Sequence, residues 1–178
     1  MTVVFTIGHS TRPLEEFIDL LKMHGVKRLV DIRTVPRSRH NPQYEQTALE
    51  NSLPREGIEY VYLKALGGLR PKVDHSVNMG WHNESFRNYA DYMQTEAFAT
   101  GLDKLINLSK EKINAIMCAE AVPWRCHRSL VGDALLVRGI HVQDIISRTS
   151  TQAHELTPFA VVSGTKITYP KDTPDDEK

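Results

Sequence analysis

Apolar residues along the chain alternate between continuous runs typical of buried strands and spaced repeats typical of amphipathic helices. The continuous runs predict strands within residues 3–7, 26–35, 58–66, 113–119 and 140–146. The helical spacing predicts one helix that starts near Pro13 and further helices at 43–56, 84–99, 100–111 and 127–138. We expect Ser10 or Thr11 to cap the first helix. Two alternating runs around Ser163-Gly164 predict a hairpin within residues 159–170.

Strands that alternate with helices predict an α/β fold. We expect a three-layer sandwich with a mainly parallel sheet, followed by a small C-terminal β-hairpin. The expected organisation is a single α/β domain over residues 1–170 and a polar tail over residues 171–178. Residues 67–83 predict a long loop, and loops of this length in compact domains are usually functional lids or mobile segments.

Composition and charge narrow the classes of function. The 22 basic and 22 acidic side chains balance, so a globally basic nucleic-acid binder is not indicated, although a local basic patch is compatible with this charge. No apolar run approaches the length of a membrane span, and the N-terminus lacks the features of a signal peptide. We therefore expect a cytoplasmic protein without membrane contact. Thiols are normally reduced in the cytoplasm, which argues against a stable disulfide between Cys118 and Cys126.

Polar side chains follow the predicted parallel strands at the points where each strand ends. Ligands of open α/β sheets bind beyond the carboxyl ends of the strands, so we expect these residues to share one face of the molecule. They are His9 and Ser10 after the first strand, Asp31, Arg33, Arg37, Ser38 and Arg39 after the second, Lys64 after the third, Cys118 and Glu120 after the fourth, and Cys126, His127 and Arg128 at the next helix start.

The two cysteines invite different interpretations. Cys118, at a strand end, is compatible with a small buried hydrophobic residue. Cys126 lies at a predicted helix start beside His127 and Arg128, and such surroundings lower a thiol pKa. The spacing does not match that of zinc modules, so no metal ligands are predicted. A cysteine-phosphatase loop needs an arginine six positions after its cysteine. This chain has Trp124 at that distance from Cys118 and Gly132 at that distance from Cys126, which argues against such a loop.

Four stretches carry a resemblance to a known family: "TIGHST", "LVDIRTVPRSR", "EYVYLKALGG" and "CAE" followed by "CHRSLVGDAL". Together they resemble the domain of unknown function 488 family over roughly residues 4–146. The resemblance implies a small cytosolic α/β protein without an established reaction. It points to the same strand-end residues, and adds Gly67 and Gly68.

Two functions remain open from the sequence. The first is a cysteine-dependent enzyme in which Cys126 or Cys118 is the nucleophile and Glu120 or His9 transfers protons. Its substrate would be anionic and phosphate-bearing, such as a nucleotide or a nucleic-acid fragment, bound by Ser10, Arg33, Ser38, His127 and Arg128. The alternative is a non-catalytic nucleotide or nucleic-acid binding module, or a structural metal-binding domain. The sequence does not identify a cofactor, a reaction or an oligomeric state.

Overall fold

A computed structural model describes residues 2–171 of the chain. Its centre is a six-stranded sheet in the order β3-β2-β4-β1-β5-β6. The strands are β1 Val3–Gly8, β2 Arg28–Asp31, β3 Glu59–Tyr62, β4 Asn114–Cys118, β5 His141–Ile145 and β6 Thr151–Ala153. All neighbours pair in parallel except β6, which is antiparallel to β5. A separate antiparallel pair, β7 Val161–Ser163 and β8 Lys166–Thr168, forms the second sheet.

Within residues 2–171, five α-helices cover the two faces of the central sheet. They are α1 Leu14–Met23, α2 Gln46–Ser52, α3 Glu84–Tyr92, α4 Glu96–Glu111 and α5 Arg128–Leu136. One apolar core joins α1 and α2 to the sheet, and a second core joins α3, α4 and α5 to its other face. The two cores use alternate residues of the same strands, such as Leu29 and Val30 of β2, because successive strand side chains point to opposite faces. The predicted three-layer α/β sandwich with a C-terminal hairpin is confirmed.

Several elements differ from the predicted ones, and the helix predicted at 43–56 is α-helical only over Gln46–Ser52. Helix α1 begins after Pro13 without a side-chain cap, so the expected cap by Ser10 or Thr11 is wrong. The predicted boundary at residues 99–100 is also wrong, because Thr95 accepts the N–H of Phe98 and starts α4 at residue 96. Strand β6 was not predicted. All three of its residues are exposed, and the sequence Thr-Gln-Ala has no apolar alternation by which a strand could be predicted.

The C-terminal part packs back onto the domain through polar contacts. Buried Asp133 of α5 accepts hydrogen bonds from His154 Nε2, at 2.9 Å, and from the Tyr169 hydroxyl, at 2.8 Å. Asn78, fully buried in the long loop, accepts the N–H of Tyr169 and donates to Asp91. These contacts join the 67–83 loop to the hairpin. Of the predicted polar tail, residues 172–178 lie outside the described residues, and the single-domain assignment stays a prediction.

Candidate functional site

The carboxyl ends of β1, β2 and β4 lie side by side in the sheet. Gly8 of β1 pairs with Cys118 of β4, and Asp31 of β2 pairs with Met117 of β4. Beyond the strand ends, the N–H groups of His9 and Ser10 donate to the carbonyls of Cys118 and Ala119, at 2.9 Å each. These hydrogen bonds connect the loops that follow β1 and β4, so the ends of the first and fourth strands form one continuous surface.

A cavity of about 340 Å³ opens beyond these strand ends. This volume lies at the lower end of the range of small-molecule sites. Five residues selected from the sequence line it: Arg33, Cys118, Glu120, Cys126 and His127. The remaining lining comes from the loops after β2 and β3, the start of α3 and the turn after β4. It includes Arg37, Leu69, Phe86 and Arg125, and also Gly68, to which the resemblance had pointed.

Gly8 makes the crossing of the two loops sterically feasible. A Cβ atom built on Gly8 would lie 1.8 Å from the carbonyl oxygen of Glu120 and 2.9 Å from Cα of Ala121. Both contacts are with backbone atoms, which cannot rotate away as a side-chain end can. Only glycine therefore lets the chain after Cys118 pass directly over the end of β1.

The two cysteines meet on the cavity wall. After Cys118 the chain turns back through a short 3₁₀-helix, Pro123–Arg125, and the N–H of Cys126 donates to the carbonyl of Pro123. This turn brings Cys126 opposite the end of β4, so that the two sulfur atoms are in direct contact. Both residues are nearly buried, with 3% and 6% of their surface exposed. The fold brings the two sulfur atoms together, and the expectation that they do not form a stable disulfide stays a prediction.

Arg128 lies inside the molecule, directly behind the cysteine pair. It is only 1% exposed, and its guanidinium donates to Cys118 Sγ at 2.7 Å and to the carbonyls of Glu120 and Ala121. Its Nε also donates to Thr6 Oγ1, whose hydroxyl in turn donates to the Asp144 carboxylate. Burial lowers the pKa of Arg128 to about 10, so the group is still charged at neutral pH. The cation predicted beside Cys126 thus contacts the other cysteine.

A comparison with family models gives a match over residues 13–135, to the family described as "Domain of unknown function DUF488". The chain belongs to the DUF488 family. The matched span covers well over half of the chain and contains both cysteines. It begins after His9 and Ser10, which the resemblance had included. No curated protein and no solved structure matches the chain.

Arg33 of this DUF488 chain is held rigidly at the back of the cavity. Its Nε and Nη2 donate to the two carboxylate oxygens of Asp31, at 2.9 and 2.7 Å. Burial opposes the charge on Arg33, but the hydrogen bonds and the charge of Asp31 outweigh it and raise the pKa of Arg33. The Tyr60 hydroxyl donates to Asp31 at 2.5 Å, and burial raises the pKa of that hydroxyl. Nη1 of Arg33 donates no hydrogen bond to Asp31 and is therefore the remaining donor of this side chain.

His9 lies behind Arg33 and does not line the cavity. Its ring stacks on Tyr44, with the ring centroids 4.2 Å apart. Its Nδ1 lies 2.8 Å from the carbonyl of Ser10, and its Nε2 lies 3.5 Å from Arg33 Nη1. Burial lowers the pKa of His9, and the charge of Arg33 acts in the same direction. A neutral His9 thus donates from Nδ1 and presents an acceptor to Arg33.

His127 lines the cavity as a neutral ring. Its Nε2 lies 2.9 Å from the carbonyl of Ile32, so the proton is assigned to Nε2, and Nδ1 faces Cys126 Sγ at 3.5 Å. Burial lowers the pKa of His127 to about 4. The ring packs against Gly68, where an added Cβ would lie 2.6 Å from Nδ1. The cationic character that the sequence suggested for His127 is therefore absent at neutral pH.

The other predicted DUF488 site residues lie at or beyond the rim. Glu120 is exposed at the rim, and its Oε1 lies 3.5 Å from the N–H of Val122. Ser10 takes a positive φ of 49° beside the end of β1, outside the cavity lining. Ser38 Oγ accepts the N–H of Asn41 at 3.1 Å, which closes a local turn. Neither serine is brought to the cavity.

Three further residues complete the site. Arg37 and Arg125 line the cavity with exposed side chains that make no hydrogen bond or ion pair to any residue within 2–171. Asp144 balances the charge of Arg128 through Thr6. Arg37 was among the residues expected at the strand ends, and Arg125 could be found from its place just after the fourth strand, but nothing local in the sequence singles out Asp144. In the described residues, no group of three His, Cys, Asp or Glu side chains could hold a metal ion, and no helix is long and apolar enough to cross a membrane.

Proposed function

We propose that this protein is a cysteine-dependent enzyme that acts on an anionic, phosphate-bearing substrate, such as a nucleotide or a nucleic-acid fragment. The observation that carries the proposal is the 2.7 Å contact between the Arg128 guanidinium and Cys118 Sγ in the wall of a cavity with further arginines. The substrate would bind in that cavity, beyond the carboxyl ends of β1, β2 and β4.

Cys118, when reduced, is the better nucleophile of the two. A cation that donates a hydrogen bond to a sulfur favours the thiolate, which is the reactive form. The oxygen atoms that Arg128 contacts directly are uncharged, namely Thr6 Oγ1 and the carbonyls of Glu120 and Ala121, and the Asp144 carboxylate reaches it through Thr6. Cys126 receives only the backbone N–H of Arg128, at 3.4 Å. This order is the reverse of the one expected from the sequence, which favoured Cys126.

The substrate anion would be bound by the arginines at the cavity mouth. Arg37 and Arg125 are exposed and not paired with described residues, so they are available for bidentate contacts to phosphate oxygens. Arg33 would add its remaining Nη1 donor, held in place by Asp31 and His9. Glu120 at the rim is the side chain placed to transfer a proton to or from solvent. In this assignment Arg128 stabilises the thiolate of Cys118, and His9 helps to hold Arg33 in place.

The test combines turnover with thiol reactivity. Reduced protein is incubated with nucleoside mono- and diphosphates and short oligonucleotides, and products are separated by chromatography. We expect turnover that Cys118→Ala abolishes and that Arg125→Ala weakens mainly through KM. Arg55→Ala, a change at another exposed arginine outside the cavity, is the matched control and should leave turnover unchanged. Absence of turnover, together with iodoacetamide rates at Cys118 that track an ordinary thiol pKa of about 8.5, would contradict the proposal.

The pairing of the two sulfur atoms favours a second candidate, a non-catalytic nucleotide or nucleic-acid binding module. In that case the cysteines only hold the 119–125 loop in place, and the arginines carry the affinity. A protein with Cys118→Ala and Cys126→Ala would then keep its affinity for nucleotides, and no turnover would be detected with the unmodified protein. Affinity that falls with rising salt would mark the arginine contacts.

A further inference from the structure

The two cysteines are the only thiol-bearing residues of the chain, and the fold brings them together from different elements. Cys118 ends β4 and Cys126 precedes α5. The seven residues between them are folded into a compact turn by the 3₁₀-helix Pro123–Arg125. The sulfur atoms meet without any partner from outside this stretch. Thiol pairing is thus a property built into the strand-loop-helix unit.

Both sulfur atoms receive hydrogen bonds from the same residue. The guanidinium of Arg128 donates to Cys118 Sγ, and the backbone N–H of Arg128 donates to Cys126 Sγ. Donors of this kind stabilise thiolates, and therefore stabilise the reduced state relative to the disulfide. A purely structural disulfide gains nothing from a buried guanidinium directed at one of its sulfurs. The arrangement suits a pair that exists in both states.

The pair is also reachable by a small molecule. Cys118 and Cys126 both line the cavity beyond the strand ends, although little of their surface is exposed. Small thiols and disulfides that carry carboxylates would meet the positive charges of Arg37 and Arg125 at the cavity mouth.

We propose that Cys118 and Cys126 form a dithiol–disulfide exchange centre, with a low-molecular-weight disulfide as the electron acceptor. This activity does not depend on the proposed function, because it needs no phosphate-bearing substrate. If the proposed function holds, the disulfide state would also remove the Cys118 nucleophile and switch the enzyme off.

The exchange proceeds in two steps. The Cys118 thiolate attacks one sulfur of the small disulfide, which forms a mixed disulfide and releases one small thiolate. The Cys126 sulfur then loses its proton, attacks Cys118 Sγ and displaces the second small thiolate. The two released thiolates take up the two protons of the cysteines. The cysteine pair thus loses two electrons, and one small disulfide is reduced to two thiols.

Redox titration of the full-length native protein tests the centre. The protein is equilibrated in buffers of reduced and oxidised glutathione, quenched in acid, unfolded and alkylated, and its mass is measured. We expect a single two-electron transition between a state with two alkyl groups and one with none, reached from both directions. Uptake of two alkyl groups across the whole buffer range, or none in excess dithiothreitol, would overturn the proposal.

The single-cysteine variants test which sulfur attacks first. Cys126→Ser leaves Cys118 beside the Arg128 guanidinium, and Cys118→Ser leaves Cys126 beside the backbone N–H of Arg128 and the neutral ring of His127. A pKa lowered by about one unit raises the thiolate fraction about tenfold near neutral pH, and the lower nucleophilicity reduces the net gain in rate to about threefold. We therefore expect Cys126→Ser to form its glutathione mixed disulfide about three times faster than Cys118→Ser. Equal rates, or a faster Cys118→Ser variant, would refute the assignment of Cys118 as the attacking thiol.

Discussion

Replacement of Gly8 by alanine tests whether the loop after β4 must pass directly over the end of β1. The new Cβ would lie 1.8 Å from the Glu120 carbonyl oxygen and 2.5 Å from its carbon, so the backbone of residues 119–121 has to move away. That movement breaks the hydrogen bonds from His9 to Cys118 and from Ser10 to Ala119. It also removes at least one of the carbonyl contacts of the Arg128 guanidinium.

The expected loss of stability follows from these contacts. Two backbone hydrogen bonds are worth about 1 kcal/mol each, and one bond to a buried cation is worth about 2 kcal/mol. We therefore expect Gly8→Ala to lower the free energy of unfolding by about 4 kcal/mol. Urea unfolding followed by circular dichroism measures this quantity directly, because the midpoint falls at constant slope when only stability changes.

A matched glycine separates the clash from backbone strain. Gly57 has a positive φ of 76° and no atom within 4 Å of an added Cβ, so Gly57→Ala is expected to cost only about 1–2 kcal/mol. A Gly8→Ala protein that loses no more than Gly57→Ala would refute the reasoning. It would mean that the loop lifts off the end of β1 at little cost, and that the cysteine-bearing turn is not held by this contact.

Three further predictions concern buried titratable side chains. Asp31→Asn breaks the buried pair with Arg33 and should cost about 3–5 kcal/mol in urea unfolding, whereas Glu16→Gln, in an exposed helix pair, should cost under about 0.5 kcal/mol. Burial lowers the pKa of His127 from 6.5 to about 4, so its contribution to stability is lost as the pH falls; between pH 7 and pH 5 the loss is about 2 kcal/mol, and His127→Gln should remove it. Asp133→Asn disturbs the anchor of Tyr169, and limited proteolysis should then cut within residues 154–170 sooner than in the unmodified protein, while an unchanged cleavage rate would exclude that anchoring role.

The gathering of residues at the strand ends could be predicted from the sequence. Alternation of strands and helices fixes a mainly parallel sheet, and parallel strands deliver their following residues to one edge. This logic correctly brought Arg33, Cys118 and Glu120 together with Cys126, although 93 positions separate the first from the last. It failed for Ser38, which lies five residues beyond Arg33 and follows its own local turn.

The pairing of the cysteines could not be predicted from the compartment argument alone. The compartment argument concerns the usual oxidation state of thiols in the cytoplasm and contains no information on where particular cysteines lie. The positions of these two sulfur atoms are set by the turn at Pro123–Arg125. Spacing in the sequence was equally uninformative, because seven intervening residues can form an extended loop or a tight one. The deciding contact is the crossing at Gly8, which presses that loop onto the sheet and is formed by residues over 100 positions apart.

The direction in which Arg128 points explains why the chemistry moved from one cysteine to the other. A helix start beside a cysteine suggests that a neighbouring arginine acts on that cysteine or on a ligand. The carbonyls of Glu120 and Ala121, however, are turned inward by the loop crossing, and buried carbonyl groups need donors. Arg128 supplies them, and in that position its Nη1 also reaches Cys118. The positive charge available to a ligand is consequently that of Arg37 and Arg125, on flanking loops, together with the Nη1 donor of Arg33. Substitutions at Arg128 should therefore act on thiol reactivity and stability together, and substitutions at the two exposed arginines on anion affinity alone.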